Sequence, residues 1–158
     1  MRMPLAAVLT VLVIVPAGLA AQPAPRLGGQ LSFAQDANAG LGMRLEQNLL
    51  PFWTQDVRLD VSFDYYFPDR PVNYWELNGD LSWGFPISGS RLSVYVGGGL
   101  NLSRSGMSGV PGSGSLDLGV NLLVGMRFPT ATRLTPYVEL RPELGGGDRL
   151  ALSLGLMF

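Results

Sequence analysis

The stretch DRLALSLGLMF, residues 148–158, alternates large apolar side chains with small, polar or unbranched ones. The two alternating sets of positions are called the apolar phase and the opposite phase. The apolar phase is made of large side chains: Leu150, Leu152, Leu154, Leu156 and Phe158. The other phase is Ala151, Ser153, Gly155 and Met157. Because successive side chains of a β-strand point to opposite faces, this period of two predicts a strand with one strongly apolar face.

The same alternation recurs through most of the chain and indicates eight strands. The earlier segments are 27–35, 41–49, 57–67, 74–85, 91–103, 115–128 and 137–144, the first two with the weaker pattern. Clusters of Gly, Pro, Asn, Asp and Ser separate them, as expected of turns. A tilted strand needs about 9–11 residues to cross a bilayer, and most of these segments reach that length. No helical period competes with this pattern.

The distribution of charge between the two phases indicates which face meets lipid. In the six clearer strands the apolar phase contains no charged residue, although 15% of the chain is charged. The opposite phase holds Arg44, Arg58, Arg91, Arg127, Arg141 and Arg149 with Glu46, Asp60, Asp64, Glu76, Asp80, Asp117, Glu139 and Glu143. A charge facing lipid at mid-bilayer costs about 2–4 kcal/mol. The pattern therefore predicts a lipid-exposed outer face around a charged interior.

Aromatic residues cluster at the strand ends, which is typical of membrane interfaces. Trp75, Tyr65 and Phe67 lie at one set of ends, and Trp83, Phe85, Phe128, Phe158 and the pair Phe52–Trp53 lie at the other. Free sheet edges are not tolerated in lipid, so the strands must close into a barrel. The alternative is a soluble, lipocalin-like calyx with the apolar phase inside and the charged phase in water.

The N-terminal segment has the organisation of an export signal. Arg2 precedes the apolar run 5–15, Pro16 interrupts it, and Gly18 and Ala20 occupy the −3 and −1 positions of a cleavage site. This predicts a signal peptide over 1–20, a short leader over 21–26 and a barrel over 27–158. The alternative is an uncleaved transmembrane anchor over residues 3–21.

Composition narrows the possible chemistry. The chain has no Cys and no His, all of its basic residues are Arg, and its net charge is −1. We therefore predict no nucleic-acid partner and no catalytic, cofactor-binding or metal-binding residues. The carboxylate pairs Asp60/Asp64 and Glu139/Glu143 could in principle act in acid–base catalysis. We interpret them instead as side chains that fill the barrel interior and form ion pairs beside Arg58 and Arg141. The glycines at 97–99 relieve crowding or bend the sheet, since no helix follows to make a phosphate loop.

Together these segments resemble the small eight-stranded outer-membrane barrels, the OmpA/OmpX-like and opacity-protein group. The resemblance rests on residues 148–158, on LTPYVELRPEL (134–144) and on GVNLLVGMRFP (119–129). It implies a closed, antiparallel, up-and-down transmembrane barrel in the outer membrane of a diderm bacterium. It also implies a monomer whose terminal strand, ending at Phe158, is recognised by the outer-membrane assembly machinery. The longest candidate outer loop, 103–114, is short, which argues against adhesion.

Eight strands enclose a space that side chains just fill. We therefore predict a structural, envelope-stabilising membrane protein without a wide pore. The alternatives are a narrow conduit or binder for small hydrophobic ligands, resembling the OmpW-like barrels, and the secreted calyx. Enzymatic barrels of this size rely on His, so the chain is predicted not to be an enzyme.

Overall fold

The chain forms a single closed sheet. A computed structural model describes residues 24–49, 56–69, 71–110, 112–145 and 149–158. The predicted signal peptide, most of the leader and the pair Phe52–Trp53 lie outside these ranges. The strands are β1 Arg26–Ala34, β2 Asn38–Asn48, β3 Asp56–Tyr66, β4 Val72–Pro86, β5 Ser93–Met107, β6 Ser115–Arg127, β7 Thr135–Leu144 and β8 Arg149–Met157. All eight predicted strands are confirmed.

Each strand pairs antiparallel with its neighbours in the sequence, and β1 pairs with β8 to close the barrel. This confirms the up-and-down topology. The strands are staggered around the barrel. The row of paired residues that starts at Arg26 passes through Asp60 and Asp80 and finishes at Arg149, at the opposite end of the barrel. Such a stagger is what tilts the strands of a closed barrel against its axis.

The two ends of the barrel differ in their connections. At the termini end, where β1 begins and β8 finishes, the strands are joined by residues 49–55, 87–92 and 128–134. At the loop end they are joined by residues 35–37, 67–71, 108–114 and 145–148. None of the described residues forms a helix long and apolar enough to cross a bilayer.

The predicted end of β5 is wrong. The sequence predicted a loop over 103–114, but β5 continues to Met107 and only residues 108–114 form the connection. Its last residues keep pairing with β4 and β6, for example Arg104 with Trp75 and with Leu116. Backbone pairing requires no alternation of side chains, so Ser, Gly and Arg at these positions hid the strand from the hydropathy pattern.

The two phases face as predicted. The outer surface is covered with exposed apolar side chains, among them Leu118 (69% exposed) and Met43 (67% exposed). The interior holds the polar and charged phase, with Asp64, Glu76 and Asn78 fully buried. A calyx would place its apolar phase inside, so the lipocalin-like alternative is wrong.

Small and aromatic side chains close the lumen at the loop end. They form one buried cluster: Ala34, Ala37, Tyr66, Tyr74 and Ala151. Ala37 belongs to the β1–β2 turn, in which Asp36 and Asn38 adopt positive φ angles of 65° and 62°. Asp and Asn tolerate this left-handed conformation better than most residues, so the tight turn can fold Ala37 over the mouth of the barrel.

The glycine run 97–99 lies within β5, where the chain packs closely against its neighbours. A Cβ on Gly97 or Gly99 would overlap the backbone of β4, and one on Gly98 would lie 2.8 Å from the carbonyl oxygen of Asn121 in β6. The interpretation that these glycines relieve crowding is confirmed.

Candidate functional site: the charged lumen

Two arginines and three carboxylates form an ion-pair network across the middle of the lumen. Glu139 accepts hydrogen bonds from Arg44 and Arg141, each with a nitrogen–oxygen distance of 2.7 Å. Arg44 also pairs with Asp60 at 3.3 Å, and Arg141 reaches Asp80 at 3.7 Å. Burying two charges is costly unless they are paired, and losing one partner costs about 3–5 kcal/mol. Glu139, between two arginines, is therefore central to this network.

A second group of ion pairs lies toward the termini end. Arg127 pairs with Glu46 at 3.0 Å and lies 3.9 Å from Asp60, which joins this group to the central network. Arg58 binds Glu46 at 2.6 Å and Asp56 at 2.7 Å. The sequence placed Arg58 beside Asp60 and Asp64, and this is wrong. Asp64 lies too far from Arg58 along the same strand, whereas the pairing of β2 with β3 sets Glu46 diagonally beside Arg58.

Amide side chains cross-link the lumen beside the central network. Asn101 and Asn121 each donate a hydrogen bond of 2.8 Å to the side-chain oxygen of Asn78. Asn121 also donates to Asp80 at 3.1 Å. All of these side chains are buried, so β4, β5 and β6 are joined by hydrogen bonds through the interior as well as along the sheet.

The half of the lumen nearest the loop end is acidic. Asp64 accepts hydrogen bonds from Gln30 at 2.7 Å and Ser32 at 2.6 Å, and within the described residues it has no arginine partner. Glu76 accepts from Tyr74 and from Tyr66 and lies 3.7 Å from Arg149. Asp64 and Glu76 therefore depend on hydroxyl and amide donors more than on the ion pairs that the sequence predicted.

The predicted carboxylate pairs do not act as pairs. Asp60 and Glu139 belong to the central network, whereas Asp64 and Glu143 lie toward the loop end. Ion pairing beside Arg141 is confirmed for Glu139. Glu143 has no arginine within 4 Å among the described residues, and its Oε1 has no hydrogen-bond partner there. No group of three or more acidic residues in the described ranges is arranged to hold a metal ion.

Arg91, assigned by sequence to the charged phase, is not in the lumen. It lies in the turn before β5 and is exposed, because β5 begins at Ser93. The predicted strand 91–103 therefore begins two residues too early, because the alternating pattern continues backward into the turn.

Four of the five tyrosines point into the lumen, a feature that sequence reasoning left largely unused. They are Tyr66, Tyr74, Tyr95 and Tyr137, all buried. Three of them lie directly across from a glycine on an adjacent strand, in the pairs Tyr66–Gly40, Tyr95–Gly125 and Tyr137–Gly155. The described Phe and Trp residues of the strands face outward instead. A phenol has a hydroxyl that a buried carboxylate can satisfy, which explains this division.

The glycines leave room for the tyrosine rings to lie flat against the barrel wall. A Cβ on Gly125 would overlap the ring of Tyr95, and a Cβ on Gly155 would overlap the ring of Tyr137. In this position the ring of Tyr95 stacks under the Arg127 guanidinium, 3.8 Å from its centroid, and the Tyr95 hydroxyl donates to Glu139 at 2.8 Å. The tyrosines therefore extend the ion-pair network.

The described aromatic girdles lie as predicted. Tyr65, Phe67 and Trp75 are near the loop end, and Trp83, Phe85, Phe128 and Phe158 are near the termini end. Phe63 adds to the first girdle and packs on Trp75 with ring centroids 5.9 Å apart. Two bands of outward aromatic side chains thus border the apolar surface.

The fold is shared with known outer-membrane barrels. The N-terminal barrel domain of Pseudomonas aeruginosa OprF matches with a TM-score of 0.62 and 17% identity, over 84% of this chain and 96% of that one. Neisserial surface protein A matches with a TM-score of 0.61 and 17% identity, over 84% and 94%. The outer-membrane enzyme PagL matches with a TM-score of 0.51 and 14% identity, over 85% and 97%. No protein-family profile and no curated protein matches the sequence.

Proposed function

We propose that this chain is an integral outer-membrane β-barrel with a structural role in the cell envelope and a lumen closed to diffusion. The observation that carries the proposal is the inverted polarity of the barrel. Its exposed outer face is apolar between two aromatic girdles, and its interior is charged. This distribution suits a hydrocarbon environment and would be strongly unfavourable in water. The fold shared with OprF and Neisserial surface protein A supports the same location.

The closed lumen supports a structural role over transport. Across the middle of the barrel Asn78, Asn121 and Ser82 are fully buried, and the arginines beside them are paired. A hydrophobic ligand would have to displace these ion pairs without replacing their hydrogen bonds. The OmpW-like alternative, a conduit for small hydrophobic molecules, is therefore less well supported.

We further propose that the barrel is not an enzyme. PagL is an outer-membrane enzyme with this fold, so the fold itself is compatible with catalysis. This sequence has no His, and the carboxylates of its central ion-pair network are buried where a substrate has no access. Incubation with phospholipid and lipid A, followed by mass spectrometry of the lipids, should show no hydrolysis. Release of a fatty acid by the protein would contradict this proposal.

The export and assembly steps complete the proposal. Residues 1–20 act as a cleaved signal peptide, the terminal strand ending at Phe158 is recognised by the assembly machinery, and the barrel is a monomer. Intact mass of the protein from the envelope should correspond to a chain starting near Ala21. Deletion of Phe158 should lower its amount in the outer membrane, while the matched deletion of Asp148 should have a smaller effect.

Fractionation tests the location and conductance tests the closed lumen. The chain should be recovered in the outer-membrane fraction and should migrate differently on a denaturing gel before and after boiling. Recovery in the soluble periplasm would overturn the proposal. In planar bilayers the folded barrel should give no steady conductance, and a regular open state would replace the closed lumen with a channel.

A further inference from the structure

The outer face of the barrel carries one charged side chain in its described strands, Arg104. Every other charged strand residue in these ranges belongs to the inward phase or lies at a strand end. Arg104 lies on β5 three residues before the strand ends at Met107, between Trp75 of β4 and Leu116 of β6. It is therefore at the level of the loop-end girdle. The sequence missed it because the predicted strand ended at residue 103.

Arg104 belongs to a small polar patch. Asn73, another outward polar residue, lies on β4, and its Oδ1 accepts hydrogen bonds from Tyr65 at 3.1 Å and from Ser108 at 3.2 Å. Neither bond uses the Nδ2 of Asn73, and its two donor hydrogens have no acceptor among the described residues. The patch thus presents N–H donors from a guanidinium and an amide within an apolar surface.

The patch lines a groove under the 108–114 loop. The groove has a volume of about 570 Å³ and is bounded by Tyr65, Trp75, Met107 and Val110 as well as by Asn73 and Arg104. Gly106, Gly112 and Gly114 form part of its wall, and their lack of side chains keeps it open. The groove is on the outside of the barrel, so the surrounding leaflet has direct access to it.

No carboxylate among the described residues lies within 4 Å of Arg104. The nearest inward acid along β6, Asp117, instead accepts a hydrogen bond from Ser115 at 3.0 Å. An arginine in contact with lipid is tolerated near the interface, where headgroup oxygens can pair with it. A guanidinium matches the geometry of a phosphate and binds it through parallel N–H donors.

We propose that this groove binds the phosphate of a lipid headgroup in the leaflet around the loop end. Arg104 pairs with the phosphate, Asn73 donates to it, and Trp75 with Leu116 contacts the apolar part of the lipid. The apolar walls favour an amphiphile over a free anion, because a phosphate ion alone would leave Trp75, Met107 and Val110 uncovered. This inference rests on the proposed membrane location.

Binding can be measured with the full-length mature barrel in dodecyl maltoside, which contains no phosphate. The probes are bisphosphorylated lipid A, the same lipid without its phosphates, and inorganic phosphate alone. Binding is followed by native mass spectrometry and by tryptophan fluorescence. We expect lipid A to bind, its dephosphorylated form to bind about tenfold more weakly, and millimolar inorganic phosphate not to compete.

Variants assign the binding to the groove. Arg104→Gln should weaken lipid A binding about tenfold, and Arg104→Lys should fall between it and the unmodified protein. Arg133→Gln removes an exposed arginine at the termini end and should leave binding unchanged. Equal binding by Arg104→Gln and the unmodified barrel would overturn the proposal. Tight binding of inorganic phosphate alone would also overturn it, since the site would then take a free anion.

The heat-modifiable gel shift separates the two possible failures. A barrel that shifts on boiling but binds lipid A independently of Arg104 refutes only this inference. A chain that neither shifts nor inserts refutes the membrane location itself. Arg104→Gln should itself shift normally, because Arg104 is exposed and its side chain makes no ion pair with the described residues.

Discussion

Two pairs of neighbouring strands differ in how continuously their backbones are hydrogen-bonded. They are β4 with β5, called here the β4–β5 wall, and β6 with β7, called here the β6–β7 seam. Pairing between β4 and β5 is continuous from Val72 opposite Met107 to Pro86 opposite Ser93. Pairing between β6 and β7 stops after Asn121 opposite Glu143 and resumes only at Val124 opposite Leu140. The interrupted stretch contains Pro142. Proline has no N–H to donate and removes a hydrogen bond from the middle of a sheet.

Side-chain contacts across the lumen compensate for the missing backbone pairing between β6 and β7. Glu139 of β7 is bonded to Arg44 of β2 and Tyr95 of β5, and Arg141 of β7 reaches Asp80 of β4. These contacts cross the interior and join β7 to strands that are not its neighbours in the sheet. Backbone pairing alone is continuous along the β4–β5 wall, whereas on its β6 side β7 is also held by side chains that cross the lumen.

The largest effect is expected when the lumen contacts of β7 are removed. Glu139→Ala leaves Arg44 and Arg141 without their shared carboxylate and should lower the free energy of unfolding by about 3–5 kcal/mol. Urea unfolding in micelles measures the change. Asp117→Ala is the matched control, because Asp117 is a partly exposed inward acid without an arginine partner among the described residues, and it should cost under about 1 kcal/mol. Equal effects of the two variants would contradict the role given to the network.

A charge placed on the outer face should not distinguish the two regions. Leu100→Arg in the β4–β5 wall and Leu122→Arg at the β6–β7 seam should each cost about 2–4 kcal/mol in a bilayer, since both side chains are exposed on the outer face. Unfolding in lipid vesicles measures both. A cost at the seam far below that at the wall would show that Leu122 is shielded from lipid, and the difference between the regions would then extend beyond backbone pairing.

Adding a methyl group beside a lumen tyrosine should have a smaller effect. Gly125→Ala and Gly155→Ala place a Cβ against the rings of Tyr95 and Tyr137 and should cost about 1–3 kcal/mol through overpacking. Gly79→Ala in the β4–β5 wall is the control, because no atom lies within 4 Å of the added Cβ. Thermal unfolding followed by the gel shift checks the order. Full stability of Gly155→Ala would mean that the ring of Tyr137 moves aside easily.

The smallest effect concerns Pro142 itself. Pro142→Val restores an N–H facing β6 and should raise the free energy of unfolding by about 0.5–1.5 kcal/mol through one additional backbone hydrogen bond. Hydrogen exchange of the unmodified barrel should be faster at Leu122, whose N–H faces β7, than at Gly79, whose N–H faces β5. Equal exchange rates in the two regions would remove the basis for calling the seam weak.

Much of the barrel was predictable because a strand has a side-chain period of two. Leu154 and Ser153, or Leu118 and Asp117, differ by one position and therefore face opposite sides of the sheet. The number of alternating segments predicted eight strands. The absence of charged residues from one phase predicted that this phase faces outward and that the charged phase faces the interior. The end of β5 was missed because residues 103–107 break the hydropathy pattern without breaking the backbone pairing.

The partners inside the lumen could not be predicted in the same way. Alternation places Arg58 and Asp64 on one face of one strand, but it does not give the side chains of other strands that lie beside each of them. The stagger of the strands brings Arg58 to Glu46 and brings Gln30 to Asp64. The tyrosine–glycine pairs have a sequence signal, inward Tyr opposite inward Gly, but it can be used only when the register is known.

The sequence by itself therefore determined the strands, the polarity of their two faces and the need for closure, because these follow from a local period and from the cost of exposing a sheet edge. Only the tertiary structure decided which charges pair, where β7 loses its pairing with β6, and that Arg104 stands alone among outward charges in the described strands. The choice of partners depends on the stagger between strands around the closed barrel, which no stretch of sequence encodes locally. The gap beside Pro142 and the position of Arg104 could be recognised only once the register of β6 on β7 and the end of β5 were known.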